Sequence, residues 1–303
     1  MNRDEFTIAE HHFKTTDGLH TLYVHEWGNP HGKPILYVHG DPGDGCKEKN
    51  KLFFDPKKFR VIFLDQRGAG KSVPSGSIDN NTMQYLLEDI EMVRTKLKID
   101  KWAITGESWG STLSLCYAIK HPDRVSRLII GAIWLGTDSE FDWLFGGGWR
   151  DFFPDLWEQL LQNTPKRYHQ NPGQYHLNNV FDPKSKTSNK SLFELSNVEF
   201  SLVHMDEKKV PLNIDEFDVN GMKVEMHYLK NSCFIDNDHI IANADKLTMP
   251  INIIQGRYDM VCTPKNAYKL HQSLPNSTLT WTLDGHASSR ASSDVIGQTI
   301  KMI

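Results

Sequence analysis

Five residues constrain this chain more than any others: Gly106-Glu107-Ser108-Trp109-Gly110. They fit the pattern G-x-S-x-G, and the chain on either side gives that pattern its meaning. Before it, Trp102-Ala103-Ile104-Thr105-Gly106 is an apolar run of strand length. After it, the apolar spacing from Trp109 to Ile119 predicts a helix, stopped at His121-Pro122. A chain that passes from strand to helix in so few residues must turn sharply. Ser108, at the apex, is pushed into a strained backbone conformation, and small neighbours at 106 and 110 let the chain pass closely. Its hydroxyl then stands above the sheet at the positive end of the helix.

The rest of the sequence says what kind of sheet this is. Leu22–His25, Pro34–His39, Arg60–Asp65 and Val125–Trp134 read as further strands. Met83, Leu86, Leu87, Ile90, Val93 and Leu97 recur at helical spacing. Apolar strands alternating with helices predict a parallel sheet covered on both faces, with right-handed crossovers. The rhythm stops near Thr137 and resumes at Ile251–Gly256. A helix near Ala267–Leu274, a strand over Leu279–Leu283 and a helix from Asp294 follow. Between the halves, helical patterns at Phe153–Leu161 and Leu192–Val203 dominate. The expected organisation is an α/β core formed by residues 1–137 and 246–303, interrupted by a mostly helical cap at 138–245. The 303 residues suffice for one such core with an insertion.

Composition removes several function classes. Lys and Arg number 34 against 38 Asp and Glu, a net charge of −4. Without a dense basic block, phosphate neutralisation on nucleic acid is not expected. The N-terminus, Met1-Asn2-Arg3-Asp4-Glu5, leads into no apolar signal region, and no apolar run approaches membrane-spanning length. Cys46, Cys116, Cys233 and Cys262 are scattered, which predicts free thiols in a cytoplasmic protein. Gly68-Ala69-Gly70-Lys71-Ser72 ends like a phosphate loop, but Asp65 stands where the first glycine belongs. His25-Glu26 opens like a zinc-helix motif, but Asn29 replaces the second histidine. No metal or cofactor is implied. Asp206-Glu207 and Asp215-Glu216 read as a solvated face of the cap.

A serine hydroxyl needs a base to become a nucleophile. Two turns after late strands supply partners: Gly256-Arg257-Tyr258-Asp259 and Gly285-His286. Catalytic groups of open parallel sheets gather at such strand ends. His286 is the expected base and Asp259 the carboxylate that orients it. Asp284 competes for the acid role but lies very near His286 in sequence. An oxyanion hole needs backbone N–H groups aimed at developing charge. The candidates are Trp109, at the helix start, and Asp41, within His39-Gly40-Asp41-Pro42-Gly43.

Together with Asp65-Gln66-Arg67-Gly68-Ala69-Gly70-Lys71-Ser72 and Ser108-Trp109-Gly110-Ser111-Thr112, these stretches resemble the proline iminopeptidases. The likeness runs from about residue 12 to residue 290. It implies an α/β-hydrolase fold: a mostly parallel central sheet, helices on both faces and an inserted helical cap. It implies a serine aminopeptidase that frees an N-terminal proline, or a similar small residue, from a small peptide with a free N-terminus. It also implies that two cap glutamates bind the substrate's amine. Val198-Glu199-Phe200 matches one stretch partly, and Glu225-Met226-His227-Tyr228-Leu229 matches the other well. The same likeness makes Trp134, Trp143 and Phe145 the aromatic wall of the proline pocket. Four positions depart from the family pattern. Asp41 and Glu107 replace glycines, Leu229 replaces an aromatic, and Gly131 stands where the family usually has arginine. A serine hydrolase acting on other esters or amides, and a non-catalytic relative, are the rival readings. Oligomeric state is not indicated.

Overall fold

A computed structural model gives the fold and describes residues 4–204, 219–287 and 290–303. The acidic positions 206, 207, 215 and 216 lie outside the described residues. The chain opens with strands β1 (Thr7–Lys14), β2 (Thr21–Gly28), β3 (Lys33–Val38) and β4 (Phe59–Leu64). Helix α1 (Met83–Lys96), β5 (Trp102–Ser108), α2 (Trp109–Lys120) and β6 (Val125–Ile133) follow. Among the described residues six α-helices come next: α3 (Asp138–Phe145), α4 (Pro154–Gln162), α5 (Pro172–Val180), α6 (Ser188–Val203), α7 (Val219–Lys230) and α8 (His239–Ala242). The chain ends with β7 (Ile251–Gly256), α9 (Pro264–Ser273), β8 (Ser277–Thr282) and α10 (Arg290–Lys301).

The strands form one eight-stranded sheet in the order β1-β2-β4-β3-β5-β6-β7-β8. β2 runs antiparallel to both β1 and β4, and all pairs from β4 to β8 are parallel. This is an α/β-type sheet, mostly parallel. The alternation of side chains along each strand sorts the core into two layers. Leu36, Val38, Ile62, Leu64, Ile104 and Ile130 point to one face, where α1 and α2 pack. Ile35, Tyr37, Val61, Phe63, Ala103 and Ile129 point to the other, against Ile296 and Ile300 of α10. Such strands are apolar on both faces, which is why they read as continuous runs. β1 was not legible that way. It is an edge strand with no fully buried residue, and its sequence TIAEHHFK carries few apolar side chains.

Helix α2 is the mechanical centre. Every residue from Trp109 to Ile119 is buried, as expected of a helix that is apolar all round. Helices α3 to α8 leave the sheet after β6 and return to it at β7. The departure is pinned by Glu140, whose carboxylate accepts hydrogen bonds from the Leu135 and Thr137 backbone N–H groups and from Asn266 of α9. No helix among the described residues is long and apolar enough to cross a membrane.

Candidate active site

Ser108 ends β5 and caps α2 with φ 55° and ψ −127°. For a residue with a side chain this conformation costs on the order of 1–2 kcal/mol. The surroundings show why it holds. A Cβ on Gly106 would stand 2.8 Å from the carbonyl oxygens of Gly110 and Val38, and one on Gly110 would stand 2.4 Å from that of Val38. Only hydrogen fits at either position, so β3, β5 and α2 approach to backbone contact beneath the serine. Ser111 donates a 2.7 Å hydrogen bond to the Ser108 carbonyl and tightens the turn.

The His39–Gly43 loop leaves the end of β3 beside this turn. A Cβ at Gly40 would lie 3.7 Å from that of Ser108. Gln66 ties the two segments together. Its backbone N–H donates to His39 Nε2 at 3.1 Å, its amide nitrogen donates to the His39 carbonyl, and its Oε1 accepts from the Trp109 indole at 2.8 Å. Beside it, Arg67 is fully buried between Asp89 and Asp17. The Asp-Gln-Arg-Gly stretch is therefore a brace: it fixes the spacing between the backbone of Asp41 and that of Trp109.

At the far side, Asp259 follows β7 and is buried. Its Oδ1 accepts from the backbone N–H groups of Val261 and Cys262, and its Oδ2 from Gln255. His286 Nδ1 lies 3.0 Å from both carboxylate oxygens. Asp284 is turned elsewhere, its carboxylate accepting from the Ser292 backbone at 2.7 Å. Burial alone would lower the basicity of His286, but the Asp259 charge and a hydrogen bond with Cys262 outweigh it and raise the imidazole pKa well above its ordinary value.

The third member of this group is Cys262, which sequence reasoning missed. Among the described residues no hydrogen bond joins Ser108 Oγ to His286. The hydroxyl instead lies 3.9 Å from the Cys262 thiol, and that sulfur, a ring nitrogen of His286 and a carboxylate oxygen of Asp259 all lie within 4.8 Å of one another. Hydroxyl and imidazole thus flank one thiol. Catalytic hydrogen bonds are commonly long without substrate and close in the complex. The signal for Cys262 was its place three residues after Asp259, in the turn whose N–H groups hold that carboxylate.

Above the serine lies a cavity of about 390 Å³, lined by Asp41, Ser108, Trp109, Glu199, Glu225 and Leu229 together with apolar neighbours. Glu199 comes from α6 and Glu225 from α7. One carboxylate oxygen of each lies within 4.8 Å of the other's, and two like charges so close favour retention of a proton. Burial, then the nearby Asp41, raises Glu199 to about 7, and burial with the Glu199 charge raises Glu225 well above the carboxylate range. One oxygen of each, Oε2, is buried without a hydrogen-bond partner.

Helix α7 is seated by two contacts. Tyr228 packs against Trp109 with ring centroids 4.6 Å apart and the ring planes tilted by 54°. Gly221 meets Gly43 so closely that a Cβ on Gly43 would stand 2.1 Å from the Gly221 carbonyl oxygen. Gly43→Ala must therefore push α7 off the loop, and is expected to lower the melting temperature by about 5 °C. A calorimetric melt indistinguishable from wild type would show that the contact does not carry load.

Of the three aromatics expected to wall the pocket, only Trp134 lines this cavity. Trp143 donates its indole N–H to the Met260 carbonyl at 2.8 Å, and Phe145 lines a neighbouring cavity of about 290 Å³ beside Gly173. Leu144, Tyr228, Val261 and Cys233 line the same cavity. Two of the sequence departures also meet: a Cβ on Gly131 would lie 3.5 Å from the Glu107 side chain, so that side chain occupies space over β6 that a larger residue at 131 would need.

A serine on a strand–helix elbow, a histidine–aspartate pair at later strand ends and a covering set of helices define an α/β-hydrolase. The family model described as "alpha/beta hydrolase fold" matches residues 33–287. Solved structures share the architecture. An epoxide hydrolase from Vigna radiata superposes with a TM-score of 0.65 at 15% identity, covering 98% of this chain and 97% of that one. An esterase from Exiguobacterium antarcticum gives 0.60 at 21%, covering 95% and 97%. The sequence relatives are narrower. A proline iminopeptidase of Xylella fastidiosa is 34% identical over 91% of this chain and 90% of its own. A probable proline iminopeptidase of Leptolyngbya boryana is 38% identical over 90% and 87%. One from Arabidopsis thaliana is 34% identical over 89% and 73%. The chain belongs to the proline iminopeptidase family.

Proposed function

We propose that the protein is a serine aminopeptidase that releases an N-terminal proline, or a similar small residue, from short peptides. The observation that carries this reading is the pair Glu199–Glu225 in the same cavity as Ser108. A close pair of carboxyls, each with a buried oxygen free to accept, is an acceptor for a cationic nitrogen, and its setting beside the nucleophile measures one residue from the chain end. In the proposed cycle, the substrate's N-terminal ammonium displaces the retained proton. His286 takes the proton of Ser108 as the hydroxyl attacks the prolyl carbonyl. The oxyanion rests on the backbone N–H groups of Asp41 and Trp109. His286 then protonates the leaving amine, and water activated by the same imidazole frees the amino acid. Asp259 keeps the imidazole in the tautomer this needs. Trp134 packs against the substrate ring, whereas Trp143 and Phe145 support the wall from behind.

Four free cysteines, two of them beside the reacting groups or the cavity wall, fit a reducing cytoplasm. A panel of aminoacyl-2-naphthylamides, with N-blocked proline as control, tests the reading. Cleavage of the prolyl compound and refusal of the blocked one support it; equal cleavage of both refutes it. Glu225→Gln isolates the amine-binding role. It is expected to lower kcat/KM on free-amine substrates by about a hundredfold, because a charge-assisted hydrogen bond is lost, and to change hydrolysis of a neutral ester by less than about threefold. Equal losses on both substrates would remove the amine anchor.

A further inference from the structure

The amine end of the cavity holds three carboxylates, not two. One carboxylate oxygen each from Asp41, Glu199 and Glu225 lie within 4.8 Å of one another. All three side chains line the cavity that contains Ser108. Glu225, only 3% exposed, keeps an oxygen with no hydrogen-bond partner, and so does Glu199. The cluster therefore has spare acceptors at the cavity that holds Ser108. We propose that Asp41 is a third carboxylate ligand for the substrate's N-terminal nitrogen, fitting the site to residues that carry a primary ammonium. The inference rests on the aminopeptidase reading above and names a substrate class for it.

Two arguments lead there. The first is a count of hydrogens. Prolyl nitrogen is a secondary ammonium with two N–H donors, whereas every other N-terminal residue offers three. Two glutamates suffice for the former; a third acceptor has a partner only on the latter. Acceptors placed tetrahedrally about one nitrogen at charge-assisted hydrogen-bond length stand about 4.6 Å from one another. The three carboxylate oxygens, all within 4.8 Å of one another, are close enough to converge on one nitrogen. The second argument is the position of Asp41 in the loop. The α-nitrogen and the carbonyl oxygen of an aminoacyl group are about 3 Å apart. The backbone N–H and the carboxylate of a single aspartate span a similar distance. Asp41 can then face the oxyanion with its N–H and the ammonium with its side chain. This also answers how a carboxylate is tolerated next to an oxyanion hole: it is turned to the glutamates and is neutralised by the substrate's own cation.

Asp41 has φ 38°, a conformation that favours glycine. Asp41→Gly therefore relieves strain and should fold, and Asp41→Asn keeps the size while removing the charge. The test is kcat/KM for the 2-naphthylamides of L-alanine, N-methyl-L-alanine and L-proline. N-methylation removes one N–H and leaves the charge. Wild type is expected to prefer alanyl over N-methylalanyl by about tenfold, the worth of one hydrogen bond to a charged group. Asp41→Gly should bring that ratio close to one and raise the prolyl-to-alanyl ratio by about tenfold, with Asp41→Asn in between. An alanyl-to-N-methylalanyl ratio that stays within twofold of wild type in both variants, with all three substrates still cleaved, overturns this inference alone. Failure of wild type to cleave any of the three overturns the aminopeptidase reading and this inference together.

Discussion

Ser108→Ala is expected to lower kcat by about six orders of magnitude, as loss of the nucleophile does in other serine triads. The substitution removes one oxygen and leaves the elbow, the cavity and the histidine–aspartate pair in place. Alanine carries the same Cβ in the same left-handed conformation, so the loss reads chemistry rather than folding. One group could blur the result: the Cys262 thiol, 3.9 Å from the missing oxygen and within 4.8 Å of a ring nitrogen of the same imidazole. Burial pushes its pKa up to about 12, which disfavours the thiolate. Single-turnover measurement on prolyl-2-naphthylamide decides the matter. A residual rate within tenfold of wild type would end the assignment of Ser108.

Asp259→Asn is expected to cost about four orders of magnitude in kcat with little change in stability. The aspartate accepts from two backbone N–H groups and from Gln255, and holds Nδ1 of His286 on both oxygens. An amide in its place presents a donor to that nitrogen and stabilises the wrong tautomer. There is a second readout. The Asp259 charge is what lifts the His286 pKa above its ordinary value against the opposing effect of burial. A base must be neutral to act, so the wild-type rate should rise with pH through that elevated pKa. In Asp259→Asn the lift is gone and the rising limb should move to lower pH. An unmoved limb in the pH profile of kcat/KM would mean that Asp259 does not govern the imidazole.

How much of this was legible in the sequence follows from what each feature depends on. The elbow was readable because its cause is local: two glycines, a strand before and a helix after. The same holds for β3 to β7, whose apolar runs reflect burial on both faces; β8 is an edge strand in which only Thr282 is buried. β1 was not, because an edge strand half in solvent leaves a polar sequence. The partners Asp259 and His286 could be picked by their places at strand ends. The insertion of Cys262 between hydroxyl and imidazole could not, since it depends on how two loops pack. Asp41 shows the limit best. Its proposed backbone role came from the position of the loop, while the nearness of its carboxylate to Glu199 and Glu225 depends on residues more than 150 positions away in the chain. Trp143 and Phe145 erred for the same reason: aromatic residues near a pocket in sequence can face away from it, and the hydrogen bond to Met260 fixes one of them.

The contact of Gly43 with Gly221 works like the closed hinge of a pair of calipers. One jaw carries the proposed oxyanion donor and the other carries Glu225, and with no side chain between them the opening has a single setting. An enzyme gauged in this way, on the proposed cycle, would trim its peptides one unit at a time. The register of each cut is then a property of backbone touching backbone rather than of any residue that could be exchanged for a near equivalent.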